Sequence, residues 1–273
     1  MCNELFELRD KVAVITGGGG VLCSTMAKGL AQIGVKVAIL DLNEKAAVEA
    51  ARDIEANHGE AIGLKADVLN RESLKKALGT IISRFKKIDI LINGAGGNKK
   101  DATTSDELKF FDLPAEAIRW VFDLNFLGTF LPCQVFGQEL ARQGQGNIIN
   151  ISSMNSLRPL TRIPAYSAAK AAISNFTQWL AVHMSQNYSK KIRVNAVAPG
   201  FFLTEQNRFL LMDEKTKKYS PRGEAIINHT PLGRFGEPEE LVGTIIWLLS
   251  QASSFVHGAV IPVDGGFSAY SGV

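Results

Sequence analysis

Short apolar runs rich in β-branched residues alternate along the chain with longer segments of helical periodicity. The apolar runs fall at residues 11–16, 35–40, 61–66, 89–92, 147–151, 192–197 and 259–263. The helical patterns fall at residues 22–33, 43–57, 71–85, 114–142, 164–188 and 237–249. Continuous apolar strands that alternate with helices predict a parallel sheet covered by helices on both faces and joined by right-handed crossovers. We therefore expect an α/β, doubly wound fold of about seven strands.

The chain length of 273 residues allows one large α/β domain or two small ones. No linker rich in Pro, Gly or Ser and no internal repeat divides it, so we expect one domain over residues 1–273. Residues 199–234 form a long segment of mixed character between two core elements. Segments of this length are usually functional lids or disordered loops, and we expect a substrate lid here.

Composition excludes several classes of partner. The net charge of +3, from 30 Lys+Arg against 27 Asp+Glu, is too small to indicate nucleic-acid binding. No cysteine or histidine pair has the spacing of a metal site, so no metal is predicted. Cys2, Cys23 and Cys133 are odd in number and widely spaced, which indicates free thiols in a reducing, cytoplasmic compartment. No signal peptide is visible, and the uncharged stretch 241–263 is too polar for a membrane span.

Four consecutive glycines, Gly17 to Gly20, follow the first predicted strand and precede a helix. Glycines at such a turn let the backbone approach a pyrophosphate, and the helix N-terminus supplies N–H donors. The second predicted strand ends at Asp41. A carboxylate there accepts hydrogen bonds from a ribose 2′-OH and repels a 2′-phosphate, which favours NAD over NADP. The alternative is that Asp41 only caps the next helix.

Tyr166 and Lys170 have the i,i+4 spacing that places two side chains on one face of a helix. A nearby ammonium group favours the phenolate, so we expect Lys170 to lower the pKa of Tyr166 towards the working pH. Ser153 directly follows the fifth predicted strand, where its hydroxyl would face the cofactor crevice.

Together with Asn93-Gly-Ala-Gly96, Asn125 and Pro199-Gly200, these motifs resemble the short-chain dehydrogenase/reductase family over nearly the whole chain. The resemblance implies a Rossmann sheet with the substrate site in the same domain, an NAD(P) cofactor and a homotetramer. It implies four catalytic residues. Tyr166 would be the general acid/base, Ser153 would hydrogen-bond the substrate carbonyl or hydroxyl, Lys170 would hold the nicotinamide ribose, and Asn125 would position a relay water.

The cofactor contacts follow from the glycine turn, from Asp41 and from the resemblance. They are expected at Gly17, Gly18, Gly19, Gly20, Val21, Leu22, Asp41, Leu42, Asp67, Val68, Asn93, Gly94, Ala95, Gly96, Tyr166, Lys170, Pro199, Gly200, Phe202 and Thr204. The chain departs from the family at two places. The family turn reads Thr-Gly-x-x-x-Gly-x-Gly, and Val21 and Cys23 stand at its second and third glycines. Gly94 stands where the family usually has the second residue of an Asn-Asn pair.

Amides and arginines fall where the family lines its substrate pocket, which suits a polyhydroxylated substrate with a carboxylate. These residues are Asn98, Asn155, Arg158, Arg162, Gln206, Asn207 and Arg208. The alternative for each arginine is a surface ion pair. The strings 96–98, 153–155 and 202–208 are similar to the short-chain type of D-mannonate oxidoreductase (fructuronate reductase), which implies NAD-linked interconversion of D-mannonate and D-fructuronate.

Three other functions are open. The first is another sugar or sugar-acid dehydrogenase of the family, of the gluconate or 2-deoxygluconate type. The second is a 3-oxoacyl-carrier-protein reductase. Such reductases usually use NADPH, and Asp41 argues against that cofactor. The third is a non-catalytic cofactor-binding protein, against which the intact catalytic set argues.

Overall fold

The computed structural model describes residues 2–204, 211–212 and 218–272. In these ranges seven strands form one parallel sheet in the order β3-β2-β1-β4-β5-β6-β7. The strands are β1 (Val12–Thr16), β2 (Lys36–Asp41), β3 (Ala61–Lys65), β4 (Ile90–Asn93), β5 (Gly146–Ile151), β6 (Ile192–Pro199) and β7 (Val260–Val263). The predicted doubly wound α/β fold is confirmed.

Helices connect the strands on both faces of the sheet. The α-helices of the described ranges are α1 (Cys2–Leu5), α2 (Val21–Gln32), α3 (Glu44–Ala56), α4 (Arg71–Phe85), α5 (Ala115–Phe122), α6 (Gly128–Gln143), α7 (Pro164–Asn187), α8 (Pro221–Asn228) and α9 (Glu240–Leu249). None of them is both long and apolar enough to cross a membrane.

The long helical region expected at residues 114–142 is helical throughout, but it is not a single α-helix. A π-helical stretch, Asp123–Leu127, separates α5 from α6. The hydrophobic period of the sequence runs through this stretch, so the pattern alone does not reveal the wider turn. Such π-helical turns are frequent at functional sites, and this one holds Asn125.

Alternate side chains of each strand enter opposite halves of the core, as the pleat of a sheet requires. In β1, Ala13 and Ile15 pack on one face, with α2, α3 and α9, while Val12 and Val14 pack on the other, with α4, α6 and α7. Both faces of this central strand are therefore buried, which accounts for its uninterrupted apolar sequence.

The strand order reverses beside β1, and the register brings three strand ends to the same level. Thr16 pairs with Asn93, and Asn93 pairs with Asn150. The glycine turn, the loop after β4 and the turn that carries Ser153 therefore leave the sheet side by side. Doubly wound folds bind ligands at such a crevice at the carboxyl ends of the strands.

Candidate active site

The glycine turn brings the backbone of β1 close to the loop after β4. Gly17 has φ +63°, a conformation that glycine adopts readily. A Cβ on Gly17 would lie 2.7 Å from the Cα of Ala95. Gly20 is the N-cap of α2, and no side chain hydrogen-bonds there, which leaves the first N–H groups of the helix open to an anion. The glycine turn leaves a space that a Cβ would fill, and this space lies next to the N-terminus of α2. Both features fit a pyrophosphate.

Asp41 lies against the glycine turn. Its Oδ2 accepts the N–H of Gly19 at 3.0 Å, and its Oδ1 accepts the N–H of Asn43 at 2.9 Å. Helix α3 is capped by Asn43, whose Oδ1 accepts the N–H of Ala46 at 3.3 Å. The alternative that Asp41 only caps this helix is therefore wrong. Its half-buried carboxylate is held at the end of β2, where a 2′-phosphate would meet a negative charge.

Asp67 and Val68 follow β3 and have different surroundings. Asp67 Oδ1 accepts the N–H of Leu69 at 2.9 Å, and the N–H of Asp67 donates to Ser73 Oγ at 3.0 Å, which together order the turn. Val68 is buried, and a Cβ on Gly128 would lie 3.0 Å from its Cγ2. Of the two apolar residues expected to contact the cofactor here, Val68 is buried against α6, whereas Leu42 at the end of β2 is largely exposed.

The side chain of Asn93 points into the protein interior, away from the crevice. Its Nδ2 donates to Asn150 Oδ1 at 2.8 Å and approaches Cys133 Sγ at 3.1 Å, while its Oδ1 has no partner among the described residues. Asn150 Nδ2 in turn donates to Thr177 Oγ1 at 2.9 Å. The cofactor contact expected at Asn93 is left to its backbone, because the pleat directs this side chain to the face of the sheet that α6 and α7 cover.

Asn125 connects the π-helical stretch to the end of the loop after β4. Its Nδ2 donates to the carbonyls of Gly97 at 2.7 Å and Val121 at 2.8 Å, and its Oδ1 accepts the N–H of Gly97 at 3.2 Å. The side chain is fully buried. Asn125 therefore holds the loop beside Lys170, since a Cβ on Gly96 would lie 2.6 Å from Asn125 Oδ1 and 3.3 Å from Lys170 Nζ.

Ser153, Tyr166 and Lys170 come together at the carboxyl end of β5. Lys170 is buried, and its Nζ donates to the carbonyl of Ile151 at 2.8 Å and lies 5.6 Å from the centroid of the Tyr166 ring. A hydrogen bond joins Tyr166 to Ser153. Ser153 Oγ also accepts the N–H of Asn155 at 3.2 Å. The structure thus brings the three residues into one group, as the sequence predicts.

Burial controls the pKa values of this group. It lowers the pKa of Lys170 to about 8, because a charged ammonium is disfavoured away from water. Burial also raises the pKa of Tyr166, and the hydrogen bond with Ser153 only partly opposes it. The expected lowering of the Tyr166 pKa by Lys170 is wrong in this arrangement: burial raises this pKa, and the opposing effect comes from the hydrogen bond with Ser153.

The residues expected to contact substrate divide into three groups. Asn155 is buried beside Ser153, while Asn98 is exposed and donates to Thr103 Oγ1 at 2.9 Å. Arg158 and Arg162 are exposed, and neither forms an ion pair within the described residues, so the ion-pair alternative finds no support there. The remaining expected residues lie outside the described ranges: Gln206, Asn207 and Arg208.

A cavity of about 570 Å³ reaches Asn155 but is not lined by Ser153, Tyr166 or Lys170, and one of its lining residues, Ser167, carries no motif in the sequence. Asn155, Arg162 and Ser167 line it. Ser167 is buried, and its Oγ has no hydrogen-bond partner in the described part of the chain. Its position next to Tyr166 on α7 is the only signal in the sequence. Arg162 has φ +72°, an uncommon conformation for a residue with a side chain.

Segment 199–234 packs against the turn that carries Ser153. Gly200 continues from β6, and its N–H donates to the carbonyl of Val263 at 2.9 Å. Phe202 is buried and pairs with Gly236 in an isolated parallel bridge, and Thr204 lies just beyond it. Further along the segment, an apolar cluster joins its side chains to Met154; the buried members are Met154, Leu211, Ile226, Phe235 and Phe267.

The sheet order, the glycine cradle and the Ser153–Tyr166–Lys170 group are together typical of dinucleotide-dependent dehydrogenases. A family model described as Enoyl-(Acyl carrier protein) reductase, one of the short-chain dehydrogenase models, matches residues 22–268. The chain therefore belongs to the short-chain dehydrogenase/reductase family of oxidoreductases.

Full-length relatives lie within this family. The oxidoreductase UxuB of Bacillus subtilis is 49% identical, with 98% of each chain covered. A crystal structure from Haemophilus influenzae with bound NAD, provisionally assigned as a D-mannonate oxidoreductase, is 50% identical, covers 98% of each chain and has a TM-score of 0.92. A gluconate 5-dehydrogenase from Burkholderia cenocepacia, solved with NADP and tartrate, is 31% identical, covers 99% of this chain and 100% of the other, and has a TM-score of 0.86.

Proposed function

We propose that the protein is an NAD-dependent oxidoreductase that interconverts D-mannonate and D-fructuronate. The observation that carries the substrate is the full-length likeness, at 50% identity, to the Haemophilus structure provisionally assigned as a D-mannonate oxidoreductase. The buried amide of Asn155 beside Ser153 and the exposed guanidinium groups of Arg158 and Arg162, which have no ion-pair partner in the described ranges, support a substrate that carries a carboxylate and several hydroxyls.

NAD is the cofactor that the residues fit. Its pyrophosphate would lie over the turn Gly17–Gly20 and the first turn of α2, and its adenosine ribose would meet Asp41. The NAD bound in the Haemophilus structure supports the same choice, although the Burkholderia relative was solved with NADP. When bound, the reduced cofactor supplies a hydride to the ketone carbon of the substrate. Lys170 would hold the nicotinamide ribose, and Thr204 the carboxamide.

The chain's own residues supply the proton that the reduced substrate needs. During reduction of the ketone, Tyr166 gives its Oη proton to the alkoxide oxygen that develops on the substrate. Its raised pKa keeps Tyr166 protonated, as a general acid requires. Ser153 donates a hydrogen bond to the same substrate oxygen and stabilises the developing charge. Asn125 would hold the water that returns a proton to the site.

Specificity comes from the loops around this group. Asn155 lies next to Ser153, and Arg158 and Arg162, which form no ion pair with any described residue, would supply guanidinium groups to a carboxylate. Segment 199–234 would close over the substrate as a lid, and its apolar contact with Met154 supports this role. Contacts from Asn98 and from residues 206–208 complete the predicted pocket.

A spectrophotometric screen of NADH and NADPH oxidation tests the proposal. Fructuronate, tagaturonate and 5-ketogluconate are offered in parallel. We expect the highest kcat/KM with fructuronate and NADH. Turnover of none of the three acidic ketoses would refute the substrate class, and equal use of NADPH would refute the role of Asp41.

A second candidate is a gluconate-type dehydrogenase, favoured by the likeness to the Burkholderia gluconate 5-dehydrogenase. Highest activity with 5-ketogluconate in the same screen would identify it. A carrier-protein reductase is disfavoured by Asp41, and a non-catalytic protein is disfavoured by the assembled Ser153–Tyr166–Lys170 group.

For the assembly we propose a homotetramer in the cytoplasm. An exposed face of α7 supports association, because Trp179 and Val182 are each more than half exposed there. The small side chains of Ala168 and Ala171 extend this face towards the N-terminus of the helix. Two buried free thiols, at Cys23 and Cys133, support a reducing compartment.

A further inference from the structure

Two departures from the family pattern, Cys23 and Gly94, meet in space. Cys23 lies in the first turn of α2 and is only 6% exposed. A Cβ built on Gly94 would overlap the Sγ of Cys23, well inside van der Waals contact. The same Cβ would lie 3.7 Å from the Cβ of Cys23, which is an ordinary contact distance. The sulfur atom therefore occupies the place that a side chain at position 94 would need.

This place lies between the two walls of the cofactor cradle. Gly94 begins the β4 loop, by which we mean residues 94–96. Thr16 Oγ1 accepts the N–H groups of Gly94 at 3.2 Å and Ala95 at 3.4 Å, which ties the loop to the end of β1. On the opposite side, Gly17 lies so close to Ala95 that a Cβ built on Gly17 would touch the Cα of Ala95. Any outward shift at position 94 would therefore open the contact between the loop and the glycine turn.

The far end of the β4 loop lies against the catalytic group. Gly96 faces Asn125 Oδ1 and Lys170 Nζ, at 2.6 and 3.3 Å from its ideal Cβ position. A loop that contacts Cys23 at one end and Lys170 at the other couples the start of α2 to the nicotinamide end of the site.

We propose that Cys23 and Gly94 are a matched pair whose contact sets the distance between α2 and the β4 loop, so that Cys23 is a positioning residue for the cofactor. The thiol replaces a family glycine, and the glycine at 94 removes the side chain that the thiol would strike. Burial raises the pKa of the Cys23 thiol to about 12, so the group stays neutral and acts as a filler. The inference rests on the proposed binding of NAD but not on the identity of the sugar acid.

The test is a set of alanine exchanges read out by NADH binding, through fluorescence, and by the KM for NADH. Gly94→Ala forces a methyl group against Sγ, and we expect it to weaken NADH binding at least ~tenfold. Cys23→Ala removes the filler and should weaken binding only a few-fold. In the double variant Cys23→Ala/Gly94→Ala the two alanine methyls would sit 3.7 Å apart, and the methyl at position 94 would lie 3.0 Å from the carbonyl oxygen of Thr16, which a shift of a few tenths of an ångström relieves. The double variant should therefore bind NADH to within ~threefold of Cys23→Ala.

Two controls make the result specific. Cys23→Ser/Gly94→Ala keeps an atom in the place of Sγ, so it should not recover binding. Gly79→Ala adds a methyl group to exposed α4 with no heavy atom within 4 Å, so it should leave NADH binding unchanged. The pH profile of kcat should be the same in the recovered double variant and the wild type, because Tyr166 and Lys170 are untouched.

Normal NADH binding by Gly94→Ala would overturn the proposal. So would a folded double variant, verified by circular dichroism, that binds no better than Gly94→Ala. If Gly94→Ala alone fails to fold, the comparison of the two double variants decides the matter: recovery by alanine but not by serine at position 23 supports the pair. If the wild type itself binds no NADH, the cofactor proposal fails, and with it the positioning role.

Discussion

Tyr166 and Lys170 are both shifted by burial towards their uncharged forms. The pKa of Tyr166 is raised, and the pKa of Lys170 is lowered to about 8. A protonated phenol and an ammonium close to its titration range suit a site that delivers a proton at neutral pH, since the donor remains loaded. The cost is a buried ammonium group whose one hydrogen bond within the described ranges goes to the carbonyl of Ile151.

Replacing Tyr166 by Phe tests the proton donor. The ring is retained beside Lys170, but the Oη that hydrogen-bonds Ser153 is lost. We expect kcat to fall by a factor of ~100 to 10,000, while the Kd for NADH stays within ~threefold. Tyr188→Phe is the matched control, because Tyr188 lies exposed at the end of α7 and should keep full turnover. Retained turnover in Tyr166→Phe would refute the mechanism.

Replacing Lys170 by Met tests the energetic cost of the buried ammonium. In the wild type the folded-state pKa of about 8 lies below the ordinary lysine value of 10.5, so the unfolded chain holds more protons between these values and stability rises with pH there. Lys170→Met should be inactive, yet about 1–2 kcal/mol more stable at pH 7, after the lost bond to Ile151 is subtracted. Urea unfolding measures the free energy of unfolding of the wild type and of Lys170→Met.

The pH dependence makes this result decisive. The stability advantage of Lys170→Met should shrink as the pH rises from 8 to 10.5, because the wild-type lysine loses its charge in the folded state. An advantage that does not change with pH, or a less stable variant at pH 7, would contradict the cost assigned to the ammonium.

At the scale of single residues, the sequence predicts which side chains meet when a short motif spaces them, but it does not predict what surrounds them. The spacing of Tyr166 and Lys170 predicts that they meet, because four residues make one turn of a helix. The direction of the Tyr166 pKa shift depends on how much protein covers the ring, which no local pattern encodes. The inward side chain of Asn93 likewise depends on its partner Asn150, 57 positions away.

At the scale of elements, strands and most helices follow from apolar periodicity, whereas the π-helical stretch around Asn125 does not. A π-helical turn adds one residue without changing the composition, and its stability comes from tertiary bonds such as those of Asn125 to Gly97. Segment 199–234 is similar, since its helix α8 and its cluster with Met154 are set by packing. Its length predicts a functional role but no conformation.

Arg234→Gln tests the attachment of this segment. Arg234 makes two hydrogen bonds to Glu240, of 2.7 and 2.6 Å, which tie the end of the segment to the start of α9. The guanidinium lowers the pKa of Glu240 to about 2, so the pair stays charged at any pH used for assays. We expect the KM for the acidic ketose to rise up to ~fivefold, with kcat changed less than ~twofold, since an exposed pair contributes little.

Arg142→Gln provides the matched control. Arg142 makes the same two-bond contact with Glu139, of 2.8 and 2.6 Å, but on α6. Its loss should leave KM unchanged. Equal effects of the two substitutions, or none from Arg234→Gln at either pH 5 or pH 8, would show that the pair does not hold a lid.

At the scale of the whole molecule, topology follows from the sequence more completely than the surface does. Alternating strands and helices leave few ways to build a right-handed, doubly wound sheet, and the register then places Thr16, Asn93 and Asn150 side by side. Which surfaces stay exposed is a property of the folded chain. The face of α7 that carries Trp179 lies on a helix whose hydrophobic pattern is weakly one-sided, so the sequence does not separate its core residues from its contact residues.

Trp179→Ala tests the proposed homotetramer. Trp179 is 55% exposed, stacks on His183 with ring centroids 4.6 Å apart, and borders a cavity of about 350 Å³ between α6 and α7. A large aromatic side chain at the centre of an interface contributes about 2–4 kcal/mol, so its loss should dissociate the assembly at micromolar concentration. Light scattering after size-exclusion chromatography should give four chains for the wild type and fewer for Trp179→Ala. Phe6→Ala, which removes a partly exposed aromatic side chain from the N-terminal segment, should remain tetrameric. A monomeric wild type, or a tetrameric Trp179→Ala, would show that this face of α7 is not the contact that holds the chains together.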